Sequence, residues 1–339
     1  MITQKDIANR LNISRTTVYR ALLDHDNINH KTKQKVLSLV KELGYTKNLI
    51  GSSLARKNAK KVYAFIIKSH NENYSVEIKK GLIDGYEELK NYNLSINIIE
   101  TSIDEPEDQI YQLKKIIEEE LPDGIIIIPQ LKNQIEQIIK DNPKIKFIAL
   151  DSPINKDIDY IGSDYIKAGK ISANILAPLL RNNEKVLILK TKSDEISSND
   201  YLMGFYLEAK AQNLNIVGPI FIENILESID LIINKYLKED VVAIYSNRHL
   251  SEIIKVITNR LPNIKLFAVT RGMNTNIHDL ISRGKILATV RENHIRQSYL
   301  AAKKIFSLLH GTIEDNDEIS KQQTIGSKII FKSNLDEEV

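Results

Sequence analysis

Arg15, Thr16 and Arg20 have types and spacing that suit a definite chemistry. They fall on the outward side of a short helical pattern, RTTVYRAL, close to its start. A guanidinium in such a place can pair with guanine, and a threonine can meet a thymine methyl or a polar base edge. Residues 1–61 hold 13 Lys/Arg against 4 Asp/Glu, a net of +9, while the rest of the chain holds 34 against 40, a net of −6. A short basic segment on a mildly acidic body suggests a polyanion reader joined to a second function. The helical spacing alone also fits any small three-helix bundle with a solvated face. The charge alone also fits a solvated basic tail. Together, the charge and the residue types favour DNA.

A second set of candidates follows from strand ends, because open α/β sheets bind ligands beyond the carboxyl ends of their strands. These are Lys68 to Tyr74, Pro129 and Gln130, Asp151, Ser163 and Asp164, Lys190 to Asp194, Asn247 and Arg248, and Thr270 and Arg271. Catalysis finds no support. The chain has no phosphate-binding loop, dinucleotide fingerprint, serine-nucleophile elbow or paired-histidine zinc motif. It has no cysteine, which excludes disulfides, thiolate zinc sites and cysteine nucleophiles. Its seven histidines are scattered, with no pair at metal-ligand spacing. Glu118 to Glu120 read as a solvated helix face. No metal or cofactor is expected, and the chain is not read as an enzyme.

The elements that must position these residues are legible in the periodicity. Thr3 with Asp6 forms a capping-box pattern ahead of Ile7, Ala8 and Leu11 on one helical face. Asn12 suits a tight left-handed turn, and Ser14 suits the cap of a second helix with Val18, Ala21 and Leu22 inward. A third helix is predicted from Lys31 to Leu43, with Val36, Val40 and Leu43 inward and Gly44 as its stop. The first three helices therefore make an all-α helix-turn-helix unit. From Val62 onward, apolar runs (VYAFII, LSINII, GIIIIP, IKFIAL, KVLILK, NIVGPIFI, VVAIYS and IKLFAV) alternate with amphipathic stretches. That rhythm predicts parallel sheets covered by helices on both faces, with too many strands for one lobe. A split near Ile158–Gly162 gives two α/β lobes with a cleft between them. At 42% hydrophobic residues the chain can bury such cores, and no run approaches a membrane span. The opening MITQKDIANR lacks an apolar signal core, so a cytoplasmic location is expected.

IANRLNISRTTVYRAL, then TKQKVLSLVKELGY, then KNLIGSSLARK, resembles the signature of the LacI/GalR repressor family, and the resemblance covers nearly the whole chain. It implies a helix-turn-helix domain over residues 1–46 and a hinge helix and linker over 47–60. A periplasmic-binding-protein type I-like effector domain would follow over 61–335. Its first lobe would take residues 61–159 and 292–320, and its second 160–290 and 321–335, with a third crossing near Val290–Glu292. Arg15, Thr16 and Arg20 become the major-groove readers, with Thr3, Ser14, Thr17, Asn27 and Lys31 as further DNA contacts. In the hinge, Asn48, Ser52, Leu54, Ala55 and Arg56 meet DNA. A segment of about ten residues is too short to be stable alone. It is expected to fold when two copies meet in the minor groove, with Leu54 as the wedge that kinks the duplex.

From the strand ends, the effector would be held by Lys68, Tyr74, Gln130, Asp151, Asp164, Asn247, Arg248 and Arg271, of which Tyr74, Asp151 and Asn247 match positions that the resemblance singles out, and by Tyr201 through the resemblance. Three of these depart from the family's pattern. Tyr201 stands three residues before Gly204-Phe205, where sugar-binding members carry Arg, and Arg248 and Arg271 stand where members carry acids. An arginine cannot accept a hydrogen bond from a sugar hydroxyl, whereas it suits a carboxylate or phosphate. Two readings stay open. Either the arginines face an acidic or phosphorylated sugar, or they point to solvent or pair with Asp151, Asp164 or Asp194. The resulting expectation is a homodimeric, ligand-responsive repressor of carbohydrate or related catabolic genes, bound to a pseudo-palindromic double-stranded operator. The alternative is a cytoplasmic binding module whose N-terminal helices bind protein.

Overall fold

The computed structural model describes residues 3–22, 28–43, 59–69, 72–191, 196–246, 248–310 and 321–338. At the N-terminus, three helices pack on one small core: α1 (Gln4–Leu11), α2 (Arg15–Leu22) and α3 (His30–Glu42). Thr3 Oγ1 accepts from Asp6 N–H at 3.3 Å, and Asp6 Oδ2 accepts from Thr3 N–H at 2.8 Å, closing the capping box. Asn12 then turns the chain in a left-handed conformation (φ 51°), which an asparagine side chain tolerates better than most. Ser14 Oγ accepts from Thr17 N–H at 3.0 Å and caps α2. Ile7, Ala8, Val18, Ala21 and Val36 are buried where the helices meet, with Leu11, Leu22, Val40 and Leu43 packed around them. The predicted stop at Gly44 lies outside the described residues.

The body holds two six-stranded sheets. The first is ordered β11-β5-β4-β3-β1-β2 and is parallel throughout. Its strands are β1 (Lys60–Lys68), β2 (Leu94–Ser102), β3 (Gly124–Ile127), β4 (Lys146–Asp151), β5 (Asp159–Ser163) and β11 (Gln322–Ile325). The second is ordered β12-β10-β9-β8-β6-β7. It comprises β6 (Lys185–Thr191), β7 (Asn215–Ile222), β8 (Val241–Ser246), β9 (Phe267–Arg271), β10 (Ala288–Arg291) and the antiparallel edge β12 (Lys328–Phe331). Helices α4 (Glu72–Leu89), α5 (Pro106–Glu120), α6 (Lys132–Asp141) and α12 (His294–His310) cover the first sheet. The second is covered by α7 (Tyr165–Leu176), α8 (Ile196–Ala211), α9 (Ile225–Leu231), α10 (Leu250–Arg260) and α11 (Thr275–Ser282). β3 and β8 are almost wholly buried, which is why GIII and VVAIYS read as unbroken apolar runs.

The limits of the lobes differ from the sequence expectation in two places. β5 lies wholly in the first sheet, so Tyr160 to Ser163 belong to the first lobe. β11 also belongs to the first sheet, where Gln322 Nε2 donates to the Ile158 carbonyl at 2.7 Å beside the ladder to β5. A short polar edge strand needs only backbone pairing and leaves no apolar signal. The chain thus passes between lobes after Ser163, after Arg291 and at Gly326–Ser327, so the crossing near Val290–Glu292, expected as the third, is the second, and the third lies at Gly326–Ser327.

One helix crossing depends on two glycines. A Cβ on Gly169 of α7 would sit 2.0 Å from the Tyr201 carbonyl, and one on Gly204 of α8 would sit 2.0 Å from the Ile166 carbonyl. The two backbones touch directly, which fixes how α8 lies against the N-terminal end of α7 at the cleft.

Candidate functional site

Arg15, Thr16 and Arg20 are exposed on α2, opposite the buried Val18 and Ala21. Thr3, Ser14 and Lys31 are exposed beside them, and Thr17 is half-buried with its hydroxyl 2.8 Å from that of Ser14. The helix-turn-helix core thus leaves one polar, basic face outward. Asn27, Asn48, Ser52, Leu54, Ala55 and Arg56 lie outside the described residues.

The second site is a cavity of about 580 Å³ between the carboxyl ends of the two sheets. The first lobe supplies Tyr74 and Glu77 from α4, Gln130 and Lys132 after β3, and Asp151 at the end of β4. The second supplies Asp200 from α8, Arg248 after β8 and Arg271 at the end of β9. The crossing segments add Asp164, Tyr165, Arg291, Glu292 and His294. In both sheets the order 2-1-3-4-5 reverses direction between the first and third strands, the position where doubly wound sheets open a crevice.

Asp151 has a left-handed backbone (φ 65°), and its carboxylate accepts from Tyr74 Oη at 2.8 Å and from the Tyr165 hydroxyl. Burial, followed by the Asp151 and Glu292 charges, pushes the Tyr165 phenol well above its ordinary value, so this phenol stays a protonated donor. Glu77 accepts from Arg291 Nη2 at 2.6 Å and from His294 Nδ1 at 3.1 Å, which ties α4 of the first lobe to β10 of the second. Burial raises the Glu77 carboxyl, but the His294 hydrogen bond and the His294 and Arg291 charges outweigh it and hold it below its ordinary value. Burial lowers His294, but the bond to Glu77 and the charges of Asp151, Glu292 and Glu77 hold it above its ordinary value. Across the cleft, burial lowers Lys132 against the pull of Asp200 and Asp151. Burial likewise raises Asp200 against Lys132.

Of the expected effector residues, the cavity gathers Tyr74, Gln130, Asp151, Asp164, Arg248 and Arg271. Two expectations are corrected. Tyr201 is fully buried in the second lobe with its hydroxyl donating to the Val290 carbonyl at 3.0 Å, because α8 packs against α7 at this point. It forms a floor instead, with the Arg271 guanidinium 5.4 Å above its ring. Lys68 is exposed and does not line the cavity, since the side chains of β1 alternate and Ile67 takes the inward place. Asn247 and residues 192–195 lie outside the described residues, and Ser197 and Asp200 face the cavity next to the latter. The sequence reading missed Glu77, Lys132, Tyr165, Asp200, Arg291, Glu292 and His294. The strand-end rule would have found Arg291 to His294 had ATVR been recognised as a strand. Among the described residues, no group of acids and histidines is placed to hold a metal ion.

The comparisons with known proteins agree with both halves. Residues 63–313 match the periplasmic binding protein domain family, and residues 3–48 match the bacterial regulatory proteins of the lacI family. The HTH-type transcriptional regulator RegA of Clostridium saccharobutylicum is 28% identical over 176 residues, 51% of this chain and 50% of that protein. Catabolite control protein A of Priestia megaterium is 25% identical over 168 residues, 49% of each. The chain spans about half the length of these curated relatives. Among solved structures, GanP, a glucose-galactose binding protein from Geobacillus stearothermophilus, superposes with a TM-score of 0.67 at 21% identity, covering 82% of this chain and 99% of that one. A putative LacI transcriptional regulator from Bacteroides fragilis does so with a TM-score of 0.67 at 17% identity, over 82% of this chain and 99% of that one. With a match over residues 63–313, the chain belongs to the periplasmic binding protein domain family, and it carries at residues 3–48 a domain of the bacterial regulatory proteins of the lacI family.

Proposed function

We propose that this protein is a cytoplasmic, homodimeric repressor that binds a pseudo-palindromic operator and releases or tightens it in response to a sugar-class effector in the interlobe cleft. The observation that carries the reading is the union on one chain of a helix-turn-helix with Arg15, Thr16 and Arg20 exposed and a cavity of about 580 Å³ at the strand ends of two doubly wound lobes. A helix that presents arginine and threonine from its first turns can lie in the major groove, while the basic segment meets phosphates. No helix among the described residues is long and apolar enough to cross a membrane.

The lining supports a neutral polyhydroxylated effector over the acidic one that Arg248 and Arg271 suggest alone. Five carboxylates (Glu77, Asp151, Asp164, Asp200 and Glu292) face Lys132, Arg248, Arg271, Arg291 and His294. With His294 counted as charged, the formal charges of the lining balance and both donors and acceptors are present, which suits hydroxyls better than an anion. The test is a gel shift on the DNA upstream of the protein's own gene, run across salt with a panel of neutral monosaccharides and their uronates. The expected result is salt-sensitive specific binding that a neutral sugar alters. Absence of specific DNA binding, or a response to the uronates alone, contradicts the corresponding half of the reading.

A further inference from the structure

His294 is placed to do more than fill the crossing between the lobes. It is the first residue of α12, directly after the crossing from the second lobe, and Asn293 Oδ1 caps the helix by accepting from Arg296 N–H at 3.0 Å. Two contacts fix its ring, and a third holds its partner. Nδ1 is bonded to Glu77 Oε2 at 3.1 Å. Tyr74 packs edge-on with ring centroids 4.9 Å apart. Glu77 is itself held from the other lobe by Arg291. Nε2 has no hydrogen-bond partner among the described residues, and the ring lines the cavity with 13% of the side chain exposed. A histidine whose Nδ1 is engaged by a carboxylate presents its other nitrogen in a fixed direction.

We propose that His294 contacts the effector directly, donating as an imidazolium from Nε2 to a neutral acceptor oxygen, a hydroxyl or ring ether of a sugar, so that effector binding is linked to a proton. The proposal rests on the sugar-class reading above. The charged and titratable groups around the ring are Glu77 and Tyr74 on α4, Asp151 at the end of β4, Tyr165 at the start of α7, and Arg291 and Glu292 in the crossing. Three carboxylates against one guanidinium favour the charged ring, in agreement with its raised proton affinity. An anionic ligand group here would meet Asp151 and Glu292, and for that reason the acceptor is assigned as neutral. Loss of the proton leaves Nε2 either a neutral donor or a lone pair, according to tautomer, and removes the charge assistance in both cases.

The experiment uses the full chain in two arms. In the first, the imidazole carbon-bound protons are followed by NMR against pH in the wild type, in His294→Gln to assign the signal, and in Glu77→Gln. His294 is expected to titrate above its ordinary value and to fall in Glu77→Gln. In the second, calorimetry with D-glucose, D-galactose, D-ribose and L-arabinose is run from pH 6 to pH 8.5. A sugar that binds is expected to lose affinity by up to about tenfold per pH unit above the pKa of His294. His294→Gln, which keeps a donor without the charge, should bind more weakly and with no such slope. Equal affinity at pH 6 and pH 8.5, or a His294 that titrates at or below its ordinary value, overturns the proposal and leaves the sugar-class function standing. Failure of every sugar at every pH overturns the sugar-class reading and the contact together, and the NMR arm then still distinguishes a charged cleft histidine from a neutral one.

Discussion

Arg20 leaves the second turn of α2 on its exposed side, one residue before the buried Ala21, so its substitution removes a reader without opening the core. Arg20→Ala is expected to weaken operator binding by about 1–3 kcal/mol and to relax the preference at one base pair, as measured by titration against single-base operator variants. In the cleft, Glu77 and His294 make stability depend on pH from both sides. The raised His294 contributes stability that is complete below its unfolded value of about 6.5 and is lost as pH rises through its folded value. The lowered Glu77 contributes stability that is present above its unfolded value of about 4.3 and is lost as pH falls through its folded one. Both contributions are therefore complete between about pH 4.3 and 6.5. The melting temperature is expected to decline as pH is raised from 6.5 to 8.5, and Glu77→Gln should flatten that decline. An equal slope in both proteins would assign it to other groups. Single residues were legible where a strong strand ended on them, as with Asp151 and Arg271. Tyr201 was misplaced because its position relative to Gly204-Phe205 gives its place in the chain but not which side of α8 faces the sheet.

At the scale of elements, the eight long apolar runs are eight of the strands; the central ones are apolar because both of their faces are buried, whereas β2 and β7 are half-exposed edge strands whose apolar residues mark them all the same. The four missed strands (DYIGS, ATVR, QQTI and KIIF) are four or five residues long, and all four form an edge or sit next to one. Their pairing is supplied by backbone groups of distant segments, and local pattern carries no trace of it. The capping box at Thr3 was legible because it is wholly local. Thr3→Ala should cost about 1 kcal/mol of stability in the helix-turn-helix unit, read by thermal unfolding of the basic domain's transition. The α7–α8 crossing is a stricter constraint. Gly169→Ala places a methyl 2.0 Å from the Tyr201 carbonyl and 2.8 Å from the Phe205 nitrogen, both of them backbone. Helices that must part to admit it shift Asp164 and Asp200 relative to each other at the cleft. The expected loss is about 1–3 kcal/mol of stability, with weaker sugar binding at unchanged operator affinity in the absence of sugar.

For the whole molecule, charge and architecture divide at the same place. Residues 1–59 carry a net of +7 and the remainder −4, so the net attraction to a polyanion resides in the part that precedes β1. The lobes meet through the Glu77–Arg291 pair and the crossing segments, and the cleft residues come from both sides. A ligand that touches both lobes favours the closed arrangement by its differential affinity, and only that difference can reach the DNA. The two functions should therefore separate on cutting the chain. A fragment that begins at residue 60 contains both sheets and all four of their core clusters. It is expected to fold, to self-associate and to bind a neutral sugar with the affinity of the full chain measured without DNA, while losing operator binding entirely. In the full chain, log affinity for the operator should fall linearly with log salt, by about 0.9 for each phosphate neutralised. Sugar binding should show no comparable slope, since the charges of the cleft balance. Calorimetry and gel shifts at matched salt concentrations measure both. If operator affinity falls by less than one phosphate's worth, the basic segment is not the DNA reader. If the fragment retains operator binding, the acidic body must supply it.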